Sequence, residues 1–208
     1  MPDSGIQIHG DRLKSLQPVF RKWIKLNRDY AESMKWRDCG WWSNERATTS
    51  ILAAAAWMSG GVALEEFSTR KGKRKENWAG RCDLFFKVST NKKFACEIKQ
   101  VFFTKPEAGG KAKIKRAFES ACEDAEALDS TEGRQLGICF VTPRFRPSPK
   151  LEVVRRAAEY VQQIRKERKE FNFDVIAWFF PKNGVRMEWK GHKRTCPGVI
   201  VPVREIKE

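Results

Sequence analysis

The spacing of apolar residues divides the chain into helical and extended stretches. Val19, Phe20, Trp23, Ile24, Tyr30 or Ala31, and Met34 recur at helical spacing behind Pro18, which predicts a helix closing near Asp38-Cys39-Gly40. An alanine-rich helix is predicted from Glu45 to Met58, capped by Ser43 or Asn44 and stopped by Ser59-Gly60-Gly61. Three strands follow, Val62–Ser68, Arg81–Val88 and Lys93–Phe103, the last two joined at a turn containing Asn91. A helix over Lys111–Leu128 leads to an apolar strand at Leu136–Val141. Behind Ser148-Pro149, the residues Leu151, Val154, Ala158, Val161 and Ile164 share one helical face. Phe173–Phe180 reads as a strand, and Val185–Trp189 with Val199–Val203 as a short antiparallel addition.

This order predicts an α/β (α+β) fold, a mixed sheet with helices packed against it. No linker divides it, so residues 1–208 are expected to form a single domain. Residues 1–40 would be an N-terminal helical extension, 43–141 the core, and 148–208 a C-terminal helix and strands. Among the tryptophans, Trp57 and Trp178 lie inside apolar segments and are expected in the core. Trp78 flanks a basic run and is the candidate for stacking on a base.

Charge changes the picture more than composition does. Among 208 residues there are 41 Lys plus Arg against 26 Asp plus Glu, a formal net charge of +15. Such a surplus speaks of polyanionic partners, with nucleic acid first among them. It recurs along the chain, most densely at Arg70-Lys71-Gly72-Lys73-Arg74-Lys75, which reads as a solvated loop. Lys71, Lys73, Arg74 and Lys75 are therefore expected to contact a phosphate backbone. No apolar stretch approaches the ~20 residues a membrane helix needs. The start of the chain has neither the basic nor the apolar region of a signal peptide, and the six cysteines include no Cys-x-x-Cys pair. A cytoplasmic protein with buried free thiols is expected, without membrane partners.

The candidate chemistry lies in two strands. Asp83 sits in Gly80-Arg81-Cys82-Asp83-Leu84, and Glu97 and Lys99 sit in Cys96-Glu97-Ile98-Lys99-Gln100. Strand alternation puts Glu97 and Lys99 on one face, with Cys96 and Ile98 on the other, toward the core. Charges inside an apolar strand need partners or a metal. If the two strands pair as a hairpin, Asp83 comes beside Glu97. Two carboxylates with an ammonium nearby suit Mg²⁺, with Mn²⁺ able to substitute, and a lysine that orients or deprotonates water or offsets charge. The same residues also fit a cross-strand ion pair on a sheet edge.

Gly80-x-x-Asp83, thirteen intervening residues and Glu97-Ile98-Lys99 resemble the active-site signature of the PD-(D/E)xK nuclease superfamily. The resemblance covers about half of the chain, since residues 44–141 read in that superfamily's α-β-β-β-α-β core order. Cys82 stands where the signature has proline, and the Gln-x-x-x-Tyr motif of one exonuclease branch is not apparent. The resemblance implies a restriction-endonuclease-like core and a Mg²⁺-dependent deoxyribonuclease. Its endonuclease activity would serve restriction, phage defence, junction resolution or repair. Asp83 and Glu97 would hold the metal and Lys99 would serve the attacking water. Glu45 matches the extra glutamate that many members supply, with Glu65 and Glu66 as competitors for a third carboxylate. Gln100 is a support or DNA-contact residue. DNA is the expected partner, and the small size favours action as a homodimer or with a partner subunit. The alternative is a nucleic-acid-binding protein, for DNA or RNA, whose charged strand residues are structural.

Overall fold

The computed structural model describes residues 4–72, 78–104, 109–146, 149–182 and 195–206. The helices begin and end where their caps dictate. α1 (Gln17–Ser33) opens with Pro18 in its first turn, which needs no amide there, and buries Val19, Phe20, Trp23 and Ala31. Of the two possible caps for α2 (Glu45–Trp57), Asn44 is used, its side-chain oxygen accepting the Ala47 amide at 3.0 Å. α2 closes at Gly60, whose φ of 80° suits glycine, and at Gly61, where an added Cβ would lie 2.2 Å from the Lys87 carbonyl oxygen.

The strands that follow form the half of the sheet that carries the candidate residues. β2 (Val62–Lys71) pairs antiparallel with β3 (Trp78–Lys87), and β3 pairs antiparallel with β4 (Lys93–Phe103). Asn91 takes the left-handed conformation in the β3–β4 turn, φ 64°, and its amide donates to the Val88 carbonyl at 2.9 Å. α3 (Lys111–Glu126) crosses over to β5 (Arg134–Pro143), which lies parallel to β4. An added Cβ at Gly137 of β5 would fall 2.8 Å from Cys122 Cα, so glycine allows α3 to settle directly on the strand.

α4 (Lys150–Lys166) and α5 (Arg168–Phe171) precede β6 (Val175–Phe179) and β7 (Val199–Glu205). Among the described residues the sheet has seven strands in the order β1-β6-β7-β5-β4-β3-β2, where β1 is Ser4–Ile8. It is mixed, with β4–β5 its parallel pair, and the fold is of the α/β (α+β) class. Trp23, Trp41, Phe86, Phe94, Ile98 and Phe140 fill the face covered by α1 and α2. Val101, Phe103, Phe118, Val141 and Val153 fill the face covered by α3 and α4.

Four expectations are corrected. The N-terminal segment is not only helical, because β1 forms the sheet edge against β6. β7 is not a peripheral addition: it lies between β5 and β6, and its near-continuous apolar run is covered on both faces. β2 runs on to Lys71, so the basic run at 70–75 begins inside a strand. Trp57 is 53% exposed, its indole N–H donating to the Ala63 carbonyl at 2.9 Å, whereas Trp178 is buried as expected. All six cysteines are free and buried. The expected strand Val185–Trp189 lies outside the described residues.

Candidate active site

β3 and β4 pair only from Leu84–Cys96 to Lys87–Lys93, then part. Their parting leaves the Ile98 and Gln100 amides of β4 without a strand partner, and two carboxylates take up those hydrogens. Asp83 Oδ2 accepts from Ile98 N at 2.7 Å, and Glu45 Oε2 accepts from Gln100 N at 2.8 Å. A buried amide without a partner costs about 1–3 kcal/mol, so each carboxylate holds its position for a structural reason as well as any chemical one. β3 is disturbed at the same level on its other side. The β2–β3 ladder skips the Glu66–Asp83 pair, where Glu66 adopts φ 52°, a conformation costly for a residue with a Cβ.

Glu97 and Lys99 lie on the α3 face of β4, as alternation requires, while Cys96 and Ile98 enter the core on the other face. Lys99 Nζ is 2.6 Å from Asp124 Oδ2 of α3. Glu97 is 3% exposed, and the Lys71 ammonium lies 2.7 Å from its Oε1. That contact is a close ion pair to a buried carboxylate oxygen.

Burial raises the affinity of all three carboxyls for protons. For Glu97 burial is the main cause, the nearby Lys71 ammonium opposes it and Asp83 adds to it, leaving the group pushed up to about 7. Asp83 is raised by burial against the pull of the Ile98 amide, and Glu45 by burial against that of the Gln100 amide. Glu45 also feels the charges of Asp83 and Lys99, so the residues form one electrostatic cluster. Burial works against the Lys99 ammonium, yet the Asp124 carboxylate outweighs it and holds Lys99 above its ordinary value.

Of the candidates from sequence, Asp83 lies within electrostatic reach of both Glu45 and Glu97, and Lys99 of all three. Of the competing carboxylates, Glu65 is turned away to accept from Ser50 Oγ at 3.2 Å, and Glu66 lies 3.4 Å from Arg46 and 3.5 Å from Arg81. Gln100 turns its side chain inward, donating to the Trp41 carbonyl at 3.3 Å. Trp78 is 53% exposed at the start of β3. Lys73, Arg74 and Lys75 lie outside the described residues. Lys71 lies at the end of β2 rather than in a loop, with its ammonium on Glu97. Asp124 was missed altogether, although its signal was present. It borders the buried stripe of Ile114, Phe118, Ala121 and Ala125, on the helix that any β4–α3–β5 crossover lays over β4.

Beside Lys99 runs a groove of about 470 Å³ lined by Lys99, Gln100, Phe102, Lys113, Arg116 and Ser120 among others, with no carboxylate among the described residues of its walls. Lys113 is anchored there, its Nζ donating to the Phe102 carbonyl at 2.9 Å, and the Arg144 guanidinium stacks 3.5 Å over the Phe102 ring.

Among the described residues no group of three or more His, Cys, Asp and Glu could hold a metal ion. Mg²⁺ asks for less, namely one or two carboxylates with water and substrate oxygens completing its shell. Asp83 and Glu97 offer that hard-oxygen donor set, and Glu97 Oε1 already carries a cation, the Lys71 ammonium. Comparisons with models of protein families, with curated proteins and with solved structures find no match. Among the described residues no helix is long and apolar enough to cross a membrane.

Proposed function

We propose that this protein is a divalent-metal-dependent nuclease that hydrolyses phosphodiester bonds in DNA. The observation that carries the proposal is the placing of Asp83 and Glu45 on the β4 amides where β3 leaves β4, with Asp83 and the Lys99 ammonium both within electrostatic reach of Glu97. Asp83 and Glu97 would hold Mg²⁺ or Mn²⁺. The bound ion would supply an activated water and offset charge on the phosphorane-like transition state.

The chain's own groups then divide the remaining work. Asp124 holds Lys99 as a cation, placed to orient the attacking water and to face the phosphate. Glu45 fixes the Gln100 end of β4 and adds a negative charge just outside the pair of ligands. The groove beside Lys99 supplies Lys113 and Arg116 for the phosphates next to the cleaved one, a sequence-independent hold on the strand.

A second reading has its own observation. Asp83 and Glu45 each cap a backbone amide, as purely structural carboxylates would, and the charge of +15 suits binding without cleavage. Nicking of supercoiled plasmid in Mg²⁺ or Mn²⁺, with EDTA as the blank, separates the two. Metal-dependent nicking supports the nuclease, while binding with no cleavage in either metal supports the non-catalytic reading.

A further inference from the structure

The end of β2 is held too firmly to be a free basic loop. The Gly72 amide donates to the Ala127 carbonyl at 2.9 Å, the Asp129 amide donates to the Arg70 carbonyl at 3.1 Å, and Lys71 bridges to Leu128. These contacts stitch the strand end to the C-terminal end of α3. From there the Lys71 side chain crosses β3 directly above Gly80. A Cβ added at Gly80 would stand 2.9 Å from Lys71 Cγ and 3.0 Å from Cδ. The bare glycine is thus the passage by which the ammonium reaches Glu97, and only 20% of the Lys71 side chain stays exposed.

We propose that Lys71 is the resident cation of the carboxylate site, and that a divalent metal binds Glu97 by displacing its ammonium. This rests on the reading of Asp83 and Glu97 as metal ligands. A buried carboxylate needs a compensating positive charge, and Lys71 provides one that the chain itself positions. Glu97 Oε1 meets that ammonium at 2.7 Å, and a metal–oxygen bond at the same oxygen replaces one cation by another. A site already neutralised by its own lysine binds metal weakly. Once displaced, the ammonium needs another anion, and a strand phosphate is its natural partner. Lys71 is therefore a positioning residue that sets how tightly the site takes its metal, and Gly80 is what lets it do so.

The test is direct binding of Mn²⁺ to the full chain without DNA, followed by calorimetry and by the loss of free-Mn²⁺ paramagnetic resonance. Lys71→Met keeps the stem over Gly80 and removes the charge. Gly80→Ala keeps the charge and pushes the stem aside. Both are expected to bind Mn²⁺ about tenfold or more tightly than the natural protein, a change of about 1.4 kcal/mol. Glu97→Gln is expected to lose that binding. Circular dichroism and thermal melts confirm that each variant is folded. Mn²⁺ affinity in Lys71→Met equal to or weaker than in the natural protein overturns the proposal and leaves the metal site standing. If neither the natural protein nor Lys71→Met takes up Mn²⁺ at millimolar concentration, the metal-ligand reading itself falls, and this proposal with it.

Discussion

Asp83 Oδ2 takes the Ile98 amide hydrogen at 2.7 Å, so a side chain of β3 does for β4 what the backbone of β3 has stopped doing. The strand separation that opens the site and the carboxylate that occupies it are one feature. Removal of the charge and removal of the acceptor should therefore have different effects. Asp83→Asn keeps an oxygen for the amide and should leave stability within about 1 kcal/mol while abolishing metal-dependent cleavage. Asp83→Ala should also lose about 1–3 kcal/mol, the cost of an orphaned buried amide. Urea denaturation alongside the nicking assay checks both.

Glu45 should show the same division in milder form. Glu45→Gln can still accept the Gln100 amide and should reduce cleavage without eliminating it, since Glu45 stands outside the two proposed ligands. Rates of plasmid nicking at saturating Mg²⁺ measure the effect. A Glu45→Gln variant as inactive as Glu97→Gln would place Glu45 among the ligands.

The groove beside Lys99 should reveal itself through salt. Lys113→Gln and Arg116→Gln together should weaken duplex binding and flatten the dependence of log affinity on log salt by about 0.9 for each phosphate no longer neutralised. Fluorescence-anisotropy titrations over a range of salt concentrations would show it. An unchanged slope would mean that the strand does not run along α3.

Much of the fold and site was legible in the sequence, for physical reasons that differ by residue. Strand alternation fixed the shared face of Glu97 and Lys99, and the Asn44 cap placed Glu45 in the first turn of its helix. β1 was not legible, because five partly buried residues at a sheet edge leave little periodic signal. Lys71 was misplaced because a run of basic residues reads as loop, and nothing local reveals that Gly80 opens a path for one of them to a buried glutamate. Asp124 is a tertiary partner, brought to Lys99 by the crossover of α3 and not by any spacing along the chain.

At the other end of β4, Glu205 makes a prediction about acid. It is 4% exposed and accepts from Arg12 Nε and one terminal nitrogen, each at 2.8 Å, and from Arg134 Nε at 2.7 Å. Burial alone would raise its pKa, but the two guanidinium groups outweigh it and bring Glu205 down to about 2. Because the folded value lies below the ordinary 4.5, the cluster contributes its stability fully above that value. The contribution should fade as pH drops from about 4.5 toward 2. Glu205→Gln should lower the melting temperature at pH 7, with the gap from the natural protein narrowing steadily below pH 4.5. Thermal melts across pH 2–7 check it, and a constant gap would contradict it.

The central claim is that Glu97 and Asp83 hold a metal that cuts DNA. Its most direct measurement is nicking of supercoiled plasmid by the natural protein and by a folded Glu97→Gln variant, each in Mg²⁺ and in EDTA. Nicking by the natural protein in Mg²⁺ alone, with none from Glu97→Gln, is the expected result. Natural activity that survives EDTA, or a folded Glu97→Gln variant that cuts at the natural rate, would contradict it.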